Sequence, residues 1–356
     1  MPGLLDSTRN RILLATVGVA VVVAGAGAAA VAGVFSSSPT TTTTTTTAPS
    51  TTTTVPAPVA PLTGLPGVQE QLDRTALVVK IDNVEPKARP QVGVNQADVV
   101  YEEKVEGSVT RWLAVFHSTD AGPVGPVRSA RSSDLGVLLG LHRPYFAWSG
   151  ANDFFAARIR AANLADVGFD RATSNYYRAS DRRAPDNLML KSTADLMALP
   201  NEGSAPPGPM FTYRAKGQAP AHLQAAEGVY LNFGSGGGAA PVEYRWNGTG
   251  WDRSQKGTPH LDADGVRISP ANVIVRFTPY ASSGVPDQFG KPIPEAQFVG
   301  EGDAWVFTDG GVVVGRWRQT ALDAIATYTD VDGNPIALTA GRTWVAVPPP
   351  GGASRL

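Results

Sequence analysis

The chain has 356 residues, with 30 Lys and Arg against 31 Asp and Glu, and a formal net charge of −1. That balance excludes the basic field that draws a protein to nucleic acid, so no nucleic-acid partner is expected. Cysteine is absent, which excludes disulfides, thiol nucleophiles and cysteine metal sites, while 38 Gly and 29 Pro favour turns and short strands over long helices.

Residues 12–35 carry no charge and consist mainly of Ile, Leu, Val, Ala and Gly. At about 1.5 Å per residue such a helix exceeds the ~30 Å hydrocarbon core. Arg9 and Arg11 precede the run and the next basic residue is Arg74. The positive-inside bias therefore expects residues 1–11 in the cytoplasm and everything after Phe35 outside, as a single-pass membrane protein. A cleaved signal with a small-residue site at Ala30-Val-Ala32 is the competing reading and would make the chain secreted; the run's length favours the anchor. Residues 36–60 are Thr, Pro, Ser, Ala and Val, bury almost nothing, and read as a disordered stalk.

Beyond the stalk the pattern predicts an α+β protein: a mixed α/β lobe over 61–201, a Pro/Gly-rich linker over 202–227, a β-rich lobe over 228–348 and a frayed tail over 349–356. In the first lobe, β-branched and aromatic content marks strands at 76–81, 98–105, 110–118 and 143–148. Helices are expected at 133–141, at 152–164 with Asn152 as N-cap, and after Ser192. In the second lobe strands are expected at 228–233, 242–246, 272–280, 304–308, 312–318, 324–329, 336–339 and 343–347. Asp309-Gly310 and Asp332-Gly333 supply hairpin turns.

Three clusters can carry chemistry. Gly122-Pro-Val-Gly-Pro-Val-Arg-Ser-Ala-Arg-Ser-Ser-Asp134 places Arg128 and Arg131 in a stiff turn ahead of a helix, a pattern suited to a carboxylate or phosphate, or to pairing with local acids such as Asp134. In an extended strand Glu102, Lys104 and Glu106 share one face, giving either a carboxylate pair or ion pairs with Lys104 and Arg111. Asp181-Arg-Arg-Ala-Pro-Asp-Asn187, following Tyr176 and Tyr177, suits a sugar or an anionic polymer, or a packed loop, and Asp82-Asn83 sits where a strand end presents polar groups to a cleft. There is no phosphate-cradling glycine loop and no nucleophile elbow, and the four histidines show no metal spacing. No cofactor and no metal are expected, and no catalytic residue is assigned. The Asp-x-Asp-Gly stretches at Asp262 and Asp330 read as turns, and the tryptophans of the second lobe as core.

The motifs Pro61-Leu-Thr-Gly64, Ile81-Asp-Asn83, Ala97-Asp-Val-Val-Tyr-Glu102, Gly125-Pro-Val-Arg-Ser-Ala-Arg131, Arg183-Ala-Pro-Asp-Asn187, Gly315-Arg-Trp317 and Gly341-Arg-Thr-Trp344 occur in the order seen in one family. On these residues the chain resembles the YerB-like family of bacterial lipoproteins, a domain of unknown function (3048). The resemblance implies an α/β-type N-terminal lobe, a separate C-terminal lobe and an envelope-facing protein, with no established activity. Two departures stand out. Without a lipobox cysteine the anchor falls to residues 12–35, and Asp186 stands where a histidine is common.

Together these readings lead to an expectation of a non-catalytic envelope protein that binds a cell-wall polymer or an envelope protein between its lobes. Asp82, Asn83, Glu102, Glu106, Arg111, Arg128, Arg131, Arg183 and Asn187 are the candidate ligand residues. The alternative is a wall-directed hydrolase, glycosidase-like, using Glu102 with Glu106, or Asp82 with Glu102 from a neighbouring strand.

Overall fold

A computed structural model describes residues 57–287 and 289–356. Strands dominate them, and the longest helix is Asp153–Ala161. Among the described residues no helix is long and apolar enough to cross a membrane. The expected anchor at 12–35 and the stalk through residue 56 lie outside the described residues.

The first half supplies β1 (Leu77–Asp82), β2 (Val99–Lys104), β3 (Thr110–Phe116), β4 (Tyr145–Ala147) and β5 (Ala165–Asp166). They run β2-β3-β1-β4-β5 in an eleven-stranded sheet. Beyond β2 the sheet continues through Thr343–Val347, Asn272–Arg276, Gly300–Thr308, Gly311–Gln319 and Thr327–Thr329. β3 pairs antiparallel with both β1 and β2, whereas Thr343–Val347 runs parallel to both its neighbours.

β1 reads Leu-Val-Val-Lys-Ile-Asp and is buried throughout, as expected of a strand covered on both faces. Leu77, Val79 and Ile81 join one core with Trp112, Trp344 and the inner face of a five-stranded sheet that includes Gly228–Leu231, Val242–Trp246 and Trp251–Gln255. Val78 joins the other core, with Tyr101, Leu113, Val345 and the helical residues Val137, Leu138 and Ile159. Each fully buried Val or Leu contributes roughly 1.5–3 kcal/mol. An exposed pair such as Arg316–Glu301 contributes about 0–1 kcal/mol, so packing on both faces holds the body together.

The local signals hold well. Ser132–Asp134, Leu135–Leu138 and Leu139–Leu141 form the expected helical stretch. Asn152 accepts the Phe155 amide at 3.1 Å and Ser192 the Asp195 amide at 3.3 Å, as caps do. Asp309 and Gly310, both at positive φ, turn Gly300–Thr308 into Gly311–Gln319. Trp251, Trp317 and Trp344 are buried.

The longer-range expectations need correction. Residues 228–348 are β-rich as read, but the halves share one sheet. Thr343–Val347 lies between β2 and Asn272–Arg276, where unpaired strand edges would leave buried N–H and C=O groups without partners. The ordered body begins before Pro61: Ala60 is buried and its amide donates to Leu65 O at 2.8 Å. The linker at 202–227 carries two structured stretches, Thr212–Tyr213 paired with Ala337–Leu338 and Gln224–Ala225 paired with the start of Gly311–Gln319. The expected tail contains Ala353–Arg355, an edge strand bonded to Gly228–Leu231.

Candidate functional site

β1 ends at Asp82, and the Gly/Pro segment 122–134 runs alongside that end. Asp82 N donates to Pro126 O at 2.9 Å, Arg128 N to Lys80 O at 2.8 Å and Val127 N to Leu188 O at 2.7 Å. Glycine is required at 125, where φ is +156° and a Cβ would lie 2.6 Å from Met189 Sδ. This path brings Arg128 over β1, and its Nε donates to Asp82 Oδ2 at 2.6 Å. Arg111 is the residue on β3 directly opposite Asp82. Its Nη1 donates to Ser129 O at 3.2 Å, but its buried Nε has no hydrogen-bond partner, and Asp82 Oδ1 is 4.0 Å away.

Glu106 does not lie on the strand face expected for it. β2 stops at Lys104, and Glu106–Ser108 turns back into β3, with Gly107 at φ +69° and Ser108 at φ +62°. The turn delivers Glu106 to the arginines. Oε2 accepts from Arg131 Nε at 3.2 Å, while Oε1 pairs with Arg131 Nη2 and lies 3.4 Å from Arg111 Nη2. Burial works to raise the Glu106 pKa, yet Arg111 and then Arg131 hold it down at about 2. Arg111 falls to about 10, first from burial and then from Arg131 beside it. Lys104, expected to form an ion pair, instead stands 4.6 Å over the Tyr280 ring.

These groups surround a cavity of about 400 Å³. Glu106, Arg111, Arg128, Ser129, Arg131 and Phe155 line it from the first half of the chain. Pro286, Asp287, Phe289 and Ile293 line it from the hairpin made by Tyr280–Pro286 and Pro292–Ala296. Four of the nine sequence candidates thus line one cavity, with Asp82 buried behind them. The hairpin residues escaped sequence reasoning, because a turn between two prolines signals a loop but not what it covers.

The other candidates lie elsewhere. Glu102 is on the opposite face of the sheet, buried, with both oxygens on Arg253 Nη2 at 2.8 and 3.0 Å. Thr110 and Asn83 also donate to it, at 2.7 and 3.2 Å. The Arg253 guanidinium is packed among Trp112, Trp344 and Tyr244, 5.2, 5.5 and 5.9 Å from their ring centres. β3 separates β1 from β2, so Asp82 and Glu102 are not on neighbouring strands. Glu102 with Glu106, and Asp82 with Glu102, are therefore divided by the sheet and cannot act as carboxylate pairs. Nearby, His260 donates from Nε2 to Gln91 Oε1 at 2.8 Å and accepts at Nδ1 from Arg89; burial and then Arg253 hold it neutral.

Asn187 braces its own loop, accepting from Arg178 and donating to Ala179 O at 3.3 Å. Arg183 is exposed, and its neighbour Arg182 docks the loop on Ala88 O at 3.1 Å. Asp186 comes closer to the cavity, 3.7 Å from Arg128 Nη2, its carboxyl raised by burial and then by Asp82.

Sequence reasoning also missed a buried triad. Lys80 Nζ donates to Glu103 at 2.5 Å and to Asp134 at 2.6 Å, with all three side chains within one per cent of full burial. Burial first pushes the Asp134 carboxyl up to about 7. His222, far in sequence from Asp330 and Asp332, comes together with them so that the three bring ligand atoms within 4.8 Å of one another. Asp330 Oδ1 there accepts the amides of Asp332 and Asn334, which is turn chemistry, as read from the sequence.

Residues 62–204 match the family described as Protein of unknown function (DUF3048) N-terminal domain, and residues 229–345 match its C-terminal domain. The chain belongs to the DUF3048 family. A relative named "Putative lipoprotein YerB" from Bacillus subtilis (strain 168) is 29% identical over 302 residues, covering 82% of this chain and 86% of the relative. The crystal structure of the YerB protein from Bacillus subtilis has the same fold. It matches with a TM-score of 0.71 at 24% identity, over 84% of this chain and 99% of that one. The two DUF3048 domains coincide with the two halves that share the large sheet.

Proposed function

We propose that this DUF3048 chain is a non-catalytic binding protein of the cell envelope, and that its arginine-lined cavity holds an anionic group of a wall component or envelope partner. Arg128 carries the reading: a part-exposed guanidinium whose Nη1 makes no hydrogen bond among the described residues, in a cavity that Arg111 and Arg131 also line. An anion entering the cavity would meet the open side of that guanidinium in charge-assisted hydrogen bonds, which are roughly twice as strong as neutral ones. Export and anchoring are supported by the uncharged run at 12–35 behind Arg9 and Arg11, and by the printed name of the Bacillus subtilis relative. With no cysteine to take a lipid, the anchor in this chain is the apolar run itself. The test is retention of the detergent-solubilised chain on purified wall polymers. Arg128→Ala should lower it at least tenfold; equal retention of parent and variant refutes the reading.

A further inference from the structure

The charges of the cavity lining are divided between its two sides, and most of the acids are already committed. Both Glu106 oxygens are held by Arg131, one of them also facing Arg111, and Asp82 is held by Arg128 and by the Val84 amide. On the arginine side, among the described residues, Arg128 Nη1 has no hydrogen-bond partner and Nη2 comes only within 3.7 Å of Asp186.

The hairpin side carries the opposite charge. Asp287 Oδ1 accepts the amides of Phe289 and Lys291, each at 2.8 Å, which fixes the carboxylate at the hairpin tip. Both of these bonds use Oδ1, and Oδ2 makes no hydrogen bond or ion pair among the described residues. Phe155 and Ile293, both nearly fully buried, add apolar lining, and Phe289 at the rim is 77% exposed.

A simple anion leaves Asp287 unanswered, and a simple cation meets three guanidinium groups. We propose that the ligand is a short zwitterionic peptide, with its carboxylate toward Arg128 and Arg111, its ammonium toward Asp287, and a small apolar side chain against Phe155 and Ile293. This rests on the anion-binding reading above and adds the amine. A cavity of about 400 Å³ is of the size that encloses small ligands, roughly 300–1,000 Å³.

Calorimetric titration of the full-length chain in detergent tests it with three probes: alanyl-alanine, N-acetyl-alanyl-alanine and acetate. The free dipeptide should bind at least ~10-fold more tightly than its acetylated form, the share of one charge-assisted contact. Asp287→Asn keeps Oδ1 for the two amides of the tip and removes only the charge. It should abolish that preference and leave acetylated-dipeptide affinity unchanged. Equal binding of the free and acetylated dipeptides, or a preference that survives in Asp287→Asn, overturns the proposal. If acetate and acetylated dipeptide still bind in an Arg128-dependent way, the anion site stands without the amine. If no probe depends on Arg128, both readings fail.

Discussion

Removing the Glu102 charge tests whether the carboxylate shared by both candidate hydrolase pairs is a structural counter-ion. Glu102 is fully buried and gives both oxygens to Arg253, itself fully buried among three aromatic rings. In Glu102→Gln the guanidinium keeps only neutral partners, Gln255, His260 and the Tyr244 hydroxyl. Breaking one side of a buried pair costs about 3–5 kcal/mol, most of it the penalty for the stranded charge. The double variant Glu102→Gln/Arg253→Met removes that charge and fills part of its volume, so it should recover about half or more of the loss. Urea unfolding of the parent, both single variants and the double variant gives the coupling energy, expected at about 2–3 kcal/mol, near the upper end for residues in contact. A single substitution that costs less than about 0.5 kcal/mol, or costs that simply add, would refute the reasoning and free Glu102 for another role.

Two pH dependences of opposite sign follow from the buried carboxyls. Glu106 is held down at about 2, so its contribution to stability is present above about 4.5 and lost as pH falls toward 2. Glu106→Gln should therefore destabilise at neutral pH and lose that effect in acid, read as urea midpoints against pH. The Asp134 carboxyl is raised to about 7 in the folded state, which favours folding below pH 4 and loses that advantage as pH rises to 7. Relative to Asp134→Asn, the parent should lose stability across that interval, and a constant difference would count against the assignment. At Gly315 an added Cβ would fall 2.0 Å from Thr329 O, a backbone atom of the neighbouring strand. Gly315→Ala should cost about 1–3 kcal/mol through forced strand displacement, and an unchanged thermal midpoint would disprove it.

Local features were legible in the sequence because their causes are local. Asn152 and Ser192 cap helices where a polar residue precedes an apolar periodic run, and Asp309-Gly310 turns where both residues take positive φ. The arginine cluster was legible too, since 122–134 is a short stretch that sets Arg128 and Arg131 side by side. Partners across the sheet were not. Alternation placed Glu102 and Glu106 on one face, and only the end of the strand at Lys104, with the Glu106–Ser108 turn after it, sends them to opposite sides. Arg253 lies 151 residues from Glu102, and nothing in its own neighbourhood marks it as a buried counter-ion. The hairpin residues Asp287 and Phe289 gain meaning only from what they overhang.

The position of Thr343–Val347 also sets a rule for cutting the chain. This segment is translated late, yet it fills the middle of the large sheet, giving hydrogen bonds to β2 on one side and to Asn272–Arg276 on the other. A fragment stopping before Thr343 would present two long, apolar, unsatisfied edges in the interior of its own fold, the kind of surface that recruits other chains. Dividing this protein at its family boundaries therefore yields adhesive halves, each lacking what the other supplies.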